Sequence, residues 1–128
     1  KDISLIISTH EIQEVMPWLD QIIVLQEGRL IQNESPRDIY SNPYNAYVAK
    51  LFGEVNIFSD EEKAYFGLSK NFWYPNEIKI ASSGKEARIL ESRFAGNHYW
   101  NKVLVSGKEL TIYSETQLSG ESAVHFAD

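Results

Sequence analysis

The stretch that decides the reading of this chain is Ile3 to Gln32, "ISLIISTHEIQEVMPWLDQIIVLQEGRLIQ". Its first part, Ile3 to Ser8, is a nearly unbroken aliphatic run without polar alternation, the pattern of a strand buried on both faces of a parallel sheet. The run stops at Thr9-His10-Glu11. Beyond it Ile12, Val15, Met16 and Leu19 recur at helical spacing, with Thr9 placed as N-cap and Glu11 and Glu14 in the early turns, where the helix dipole favours acids. Pro17 lacks an amide donor and crowds the carbonyl of Gln13, so the helix is expected to end or kink near Met16. A second apolar pair of runs, Gln21 to Gln32, meets at Glu27-Gly28 and predicts a hairpin with Gly28 at positive φ.

Working outward, Ser35-Pro36 and Asn42-Pro43 each put a capping side chain before a proline and predict two helices, the second carrying Tyr47, Val48 and Leu51 and stopping at Gly53. From Glu54 the composition changes. "EVNIFSDEEKAYFGLSKN" is polar, dotted with aromatics and weakly periodic, and reads as a connection between units. Glu86–Ala95, Tyr99–Val105 and Glu109–Ser114, separated by glycine turns, then predict strands, and "SAVHF" supplies another, which together point to a small barrel. The expected class is α+β. A strand-helix-hairpin-two-helix part over 1–53 is followed by a linker and a small all-β barrel over 54–128.

Charge and composition exclude several functions. The formal charge of -6 is spread along the 128 residues, with 4 basic and 7 acidic side chains through Gly53 and 8 and 11 after it. Neither half offers the cationic face that phosphate neutralisation needs, so no nucleic-acid partner is expected. There is no cysteine for a disulfide or a thiolate zinc site, and His10, His98 and His125 have no ligand spacing, so no metal is expected. No apolar run reaches the roughly 20 residues of a membrane-spanning helix. The chain opens on Lys1-Asp2 and its one methionine is Met16, which suggests a piece of something longer.

His10 is the residue that invites chemistry. A histidine between the end of a buried strand and the start of a helix sits at the ligand-binding edge of an open α/β sheet, although from position alone a histidine that only satisfies a turn is the commoner reading. In order and spacing, residues 6–58 resemble the C-terminal end of an ATP-binding-cassette (ABC) transporter ATPase. Thr9-His10-Glu11 matches the family's Thr-His-Asp/Glu strand end, Asp20 its Asp before an apolar strand and Gly28 its hairpin glycine. Pro36 to Tyr40 matches "P-x-x-I-Y", and Val48 to Asn56 with Gly53 matches the "V-A-x-x-x-G-x-x-N" exit. Pro17 and the "NESP" before the first capped helix depart from the family pattern.

The resemblance implies that His10 is the switch histidine, contacting the γ-phosphate of ATP and orienting the hydrolytic water, with Asp20 structural. It implies ATP and Mg2+ as cofactors of an intact parent, transmembrane permease subunits as partners, and a cytoplasmic location at the inner membrane without insertion. The phosphate-cradling loop G-x-x-x-x-G-K-[ST] and an apolar strand ending in Asp-Glu do not occur in the sequence, so this piece is expected to bind no cofactor and to be inactive alone. "QLSGE", Gln117 to Glu121, resembles the family's signature motif but falls among barrel strands and reads as a turn.

The remainder resembles the oligonucleotide-binding-like accessory domain called TOBE that follows importer ATPases. "FWYPNEIKIA" stands where that domain has "V-R-P-E-D-I-x-L", with Tyr74 in place of Arg, and Phe94, Gly96 and Tyr99 fall on its "F-x-G-x-x-Y". Phe94, His98, Tyr99 and Trp100 are the residues for a base-stacking platform, but with only Arg93 and Lys102 beside them, packing in a core or interface is the expected role. The reading is thus the C-terminal part of an ABC importer ATPase of iron or polyamine type, forming a homodimer. Its competitors are a stand-alone barrel that binds a small ligand or oligonucleotide, and a plain dimerisation domain.

Overall fold

The structure, a computed structural model, describes residues 12–127. The expected strand Ile3–Ser8, the Thr9 cap and His10 lie outside the described residues. The chain divides into two compact units, the first ending at Gly53 and the second beginning at Glu54.

In the first unit helix α1, Ile12–Val15, gives way to a single 3-10 turn at Met16–Trp18. The change falls where Pro17 removes the amide that a continuing helix would need. Strands β1, Ile22–Gln26, and β2, Arg29–Glu34, form an antiparallel hairpin. Glu27 and Gly28 both take positive φ, 52° and 77°, the two-residue turn whose twist matches that of the strands it joins. Helix α2, Pro36–Ser41, begins where Ser35 Oγ accepts the Asp38 amide at 3.2 Å.

Helix α3, Ala46–Lys50, corrects the expected cap, because Asn45 and not Asn42 accepts the Val48 amide, at 3.0 Å. The reason lies in Gln32 of β2. Its amide donates to the Asn42 carbonyl at 2.9 Å and accepts from the Tyr44 amide at 2.8 Å, which holds the Asn42-Pro43-Tyr44 stretch along the hairpin and delays the helix. Ile22, Val24, Ile39, Val48, Ala49 and Phe52 make the buried centre of this unit.

The second unit is a five-stranded antiparallel sheet in the order β5-β9-β6-β7-β8, formed by β5 Ile78–Ala81, β6 Lys85–Phe94, β7 Tyr99–Val105, β8 Lys108–Ser114 and β9 Glu121–Phe126. The sheet curls into a half-barrel, so that its edge strands β5 and β8 approach one another. Val103, Val105, Leu110, Ile112, Ile78 and Val124 are fully or almost fully buried on its concave face, and alternate residues of β7 and β8 turn outward.

The segment after Glu54 is not the plain connection the sequence suggests. Its β3, Asn56–Ile57, pairs with β4, Phe72–Trp73, and helix α4, Asp60–Phe66, lies between them. Phe58 and Phe66 are buried and meet Phe126 of β9 at ring-centroid distances of 5.8 and 6.3 Å, with Trp73 at 5.2 Å from the same ring. These aromatics fill the curled sheet. Helix α4 is held by a reciprocal box between Ser59 and Glu62 and closed by Gly67 in the left-handed conformation; each such cap contributes about 1 kcal/mol.

Asn56 gives that segment its anchor. The residue is buried, and its side-chain amide accepts from the Thr111 amide at 2.7 Å while donating to the Thr111 carbonyl at 2.8 Å and the Trp73 carbonyl at 3.1 Å. It therefore stands in for one residue of a neighbouring strand on the outer edge of β8, whose backbone would otherwise be unpaired. Asn56→Ala leaves a buried amide and two carbonyls without these partners, and should destabilise the second unit by about 2 kcal/mol or more. Urea unfolding followed at buried Trp73 measures this; an unchanged midpoint would show that water replaces the amide without cost.

Candidate functional site

The residue expected to do chemistry, His10, falls before the first described residue, but the structure shows what its neighbours are tied to. Ile12 is buried, and Gln13 donates its side-chain amide to the Phe52 carbonyl. Gly53 lies beside the same glutamine with φ +119°, a backbone conformation that strains any residue with a β-carbon and so favours glycine. The start of α1 is thus fastened to the exit of the first unit, two positions that the family resemblance also places within one motif series.

A second candidate is built on the outer face of β7 and β8. Trp100 and Tyr113 are cross-strand partners, so their side chains share a face. Both reach one carboxylate. Glu54 Oε1 accepts from Trp100 Nε1 at 2.8 Å and from the Tyr113 hydroxyl at 3.3 Å. Burial and the adjacent Glu54 charge raise the Tyr113 pKa above the ordinary tyrosine value, burial being the larger cause, because a phenolate there is both desolvated and repelled. The His98 ring lies against Tyr113 at 4.1 Å between centroids, and Lys102 Nζ lies 5.5 Å from the Trp100 ring centre.

The four aromatics singled out in the sequence are therefore not core residues. Phe94 is 72% exposed and packs edge-on to Tyr99 at 5.6 Å at the end of the β6–β7 hairpin, while Trp100 lies on the outer face with its N–H donated to Glu54. The two faces alternate along β7, so the four do not form one continuous stacking platform. Nearby cations are matched by carboxylates, Arg93 with Glu91 at 2.8 Å and Lys102 with Glu109 at 3.8 Å.

Gln117 to Gly120 is a connection, as read from the sequence, while Glu121 already opens β9. Gln117 Nε2 donates to the Ser92 carbonyl at 3.3 Å, the Leu118 amide to Ser92 Oγ at 3.0 Å, and the Gly120 carbonyl accepts from Ile89 at 2.9 Å. It covers the part of β6 that β9 does not reach. Among the described residues no three His, Asp or Glu side chains converge as a metal site, and no helix is long and apolar enough to cross a membrane. Glu54 and Asn56 are the polar residues that inspection of the sequence passed over; the one signal was Asn56 at the end of the exit motif.

No family model matches the chain. Among curated proteins it is similar to the spermidine/putrescine import ATP-binding protein PotA of Vibrio cholerae, 34% identical over 98 residues, covering 69% of this chain and 25% of that protein. The proteins of the same name from Pasteurella multocida and Mannheimia succiniciproducens are 47% and 48% identical over 57 and 56 residues, each match covering 44% of this chain and 15% of theirs. The chain thus spans a quarter or less of these relatives' length. A match covering 69% of the chain is longer than the first unit can supply, so the Vibrio similarity extends into the second.

The Glu54 contacts make a titration testable. A folded-state tyrosine pKa raised above the unfolded value of about 10 stabilises the fold at lower pH, and that contribution is lost as pH rises through the folded pKa. Tyr113 should ionise above the ordinary tyrosine value, and Glu54→Gln should lower its pKa. Tyrosinate absorbance with Tyr113→Phe as the assignment control reads this out; an unaltered titration in Glu54→Gln would remove the coupling.

Proposed function

We propose that this chain is the C-terminal portion of the ATP-hydrolysing subunit of an ABC import transporter, of polyamine type. The observation that carries the reading is the similarity to a polyamine-import ATP-binding protein across more than the first unit. It agrees with the ordered motif series from Thr9-His10-Glu11 to Asn56. The relatives' name favours polyamines over iron. In the intact protein His10 would meet the γ-phosphate and hold the attacking water, a role in which positioning and charge stabilisation lower the barrier to phosphoryl transfer. ATP and Mg2+ would be held by residues that precede this piece, and permease subunits would bring the protein to the cytoplasmic face of the membrane.

The half-barrel is then an accessory domain serving regulation or dimerisation. Its support is architectural, in a curled five-stranded sheet with an aromatic outer face. The piece alone should not hydrolyse ATP, because His10 without a phosphate cradle or magnesium ligands binds nothing firmly enough to turn over. In the intact subunit His10→Ala should spare ATP binding and cut turnover on the order of 10²-fold or more, as removal of a positioned catalytic group does. Steady-state phosphate release and nucleotide binding measured on the same preparations test both statements. Turnover by the isolated piece, or full turnover in the variant, would contradict the assignment.

A further inference from the structure

Asn56 and Asn101 are both buried in the second unit, but only Asn56 uses both ends of its amide. Asn101 of β7 has no exposed surface and lies on the concave face, where Val103 and Val105 continue the core. Its Nδ2 donates toward the Tyr99 and Ile112 carbonyls at 3.2 and 3.1 Å and toward Ser114 Oγ at 2.9 Å. Its Oδ1 is buried as well and meets no donor among the described residues. Exchanging the two ends of the amide does not cure this, because the oxygen would then face two carbonyls, which only accept. Nor is the Ser114 hydroxyl free to turn to it, since it donates to the Thr116 carbonyl at 2.7 Å. A buried amide oxygen without a donor is costly, and folded proteins supply one from a side chain or from an ordered water.

The geometry narrows the choice of donor. Nδ2 reaches to β8, so Oδ1, on the other arm of the planar amide, turns away from that strand. On the opposite flank of β7 the cross-strand partner of Asn101 is Ser92 of β6, whose side chain shares the concave face. Ser92 Oγ accepts from the Leu118 amide at 3.0 Å and gives its own hydrogen to no acceptor among the described residues. The two side chains make no direct bond, and β-carbons about 5 Å apart leave their oxygens at a spacing that one water spans. We infer that a single sealed water donates to Asn101 Oδ1 and accepts from the Ser92 hydroxyl. It sits at the level where β9 has stopped pairing with β6, whose last partnered residue on that side is Arg88, and where Gln117 takes over by donating to the Ser92 carbonyl. The water is thus an internal part of the half-barrel, tying β6 to β7 from within. Cut off from bulk solvent, it exchanges only when the structure opens locally. The site is complete within this unit and does not depend on the parent proposed above.

A crystal structure of the full chain at a resolution that orders internal waters tests this directly. One water should lie within ~3.2 Å of both Asn101 Oδ1 and Ser92 Oγ. A direct bond from Ser92, another side chain donating to Oδ1, a water that misses Ser92, or a dry contact each overturns the inference. Water-oxygen magnetic relaxation dispersion on the same chain counts slowly exchanging waters in solution. Asn101→Leu, which fills much the same volume without an acceptor, should lose the amplitude of one such water. Ser92→Ala, which leaves the amide in place, should lose it or release it at least ~10-fold faster, because one of its two anchors is gone. Far-ultraviolet circular dichroism checks that each variant folds, and either folded variant decides. An unchanged dispersion in a folded variant overturns the inference, because the slow water would then lie elsewhere. The crystal structure uses the unaltered chain and so decides even if neither variant folds.

Discussion

A curled sheet that does not close by backbone pairing must still deal with its edges, and the side chain of Asn56 is what meets that constraint in the second unit. Its amide offers the same donor-acceptor pair as a peptide group and engages both backbone groups that Thr111 turns away from β7. Because the same Nδ2 also donates to Trp73, the β3–β4 pair is pinned against the edge of β8. Phe58 then follows two residues later into the core, where Phe66, Trp73 and Phe126 surround it. The anchor, the aromatic plug and the protected edge are consequences of one buried amide.

The outer face of the same strands shows how a polar residue can be placed at a chosen distance from that anchor. Glu54 precedes Asn56 by two, so once Asn56 is fixed on β8 its neighbour's carboxylate is brought to the Trp100–Tyr113 pair. The phenol is kept protonated by burial and by that charge. Elsewhere on the unit, Lys108 reaches Glu62 of α4 at 3.2 Å. The Glu62 carboxyl is held below its usual pKa, first by the Ser59 backbone amide and then by Lys108.

Much of the local structure was legible because it depends on single residues with strong backbone preferences. Pro17 ended α1, Glu27-Gly28 turned the hairpin, Ser35 capped α2, and the glycine turns separated β6, β7 and β8. The Asn45 cap was not legible, because the choice between Asn42 and Asn45 is made by Gln32, ten or more residues away. Helix α4 was hidden for another reason: seven residues make two turns, too few for a period to stand out. The strand β5 is four residues long and was missed on the same ground.

The sequence by itself determined the hairpin turn at Glu27-Gly28, the longer strands β1, β2 and β6 to β9, and that Thr9-His10-Glu11 belongs to a series resembling an ABC ATPase, since these depend on residue type and spacing along the chain. Only the tertiary structure decided which side chains meet. That the polar stretch after Glu54 enters the core, that Asn56 serves as a strand edge, and that Trp100 faces outward to a carboxylate 46 positions away depend on sheet curl and register. No local pattern encodes these, because burial and pairing are set by the partner that long-range folding brings to each residue.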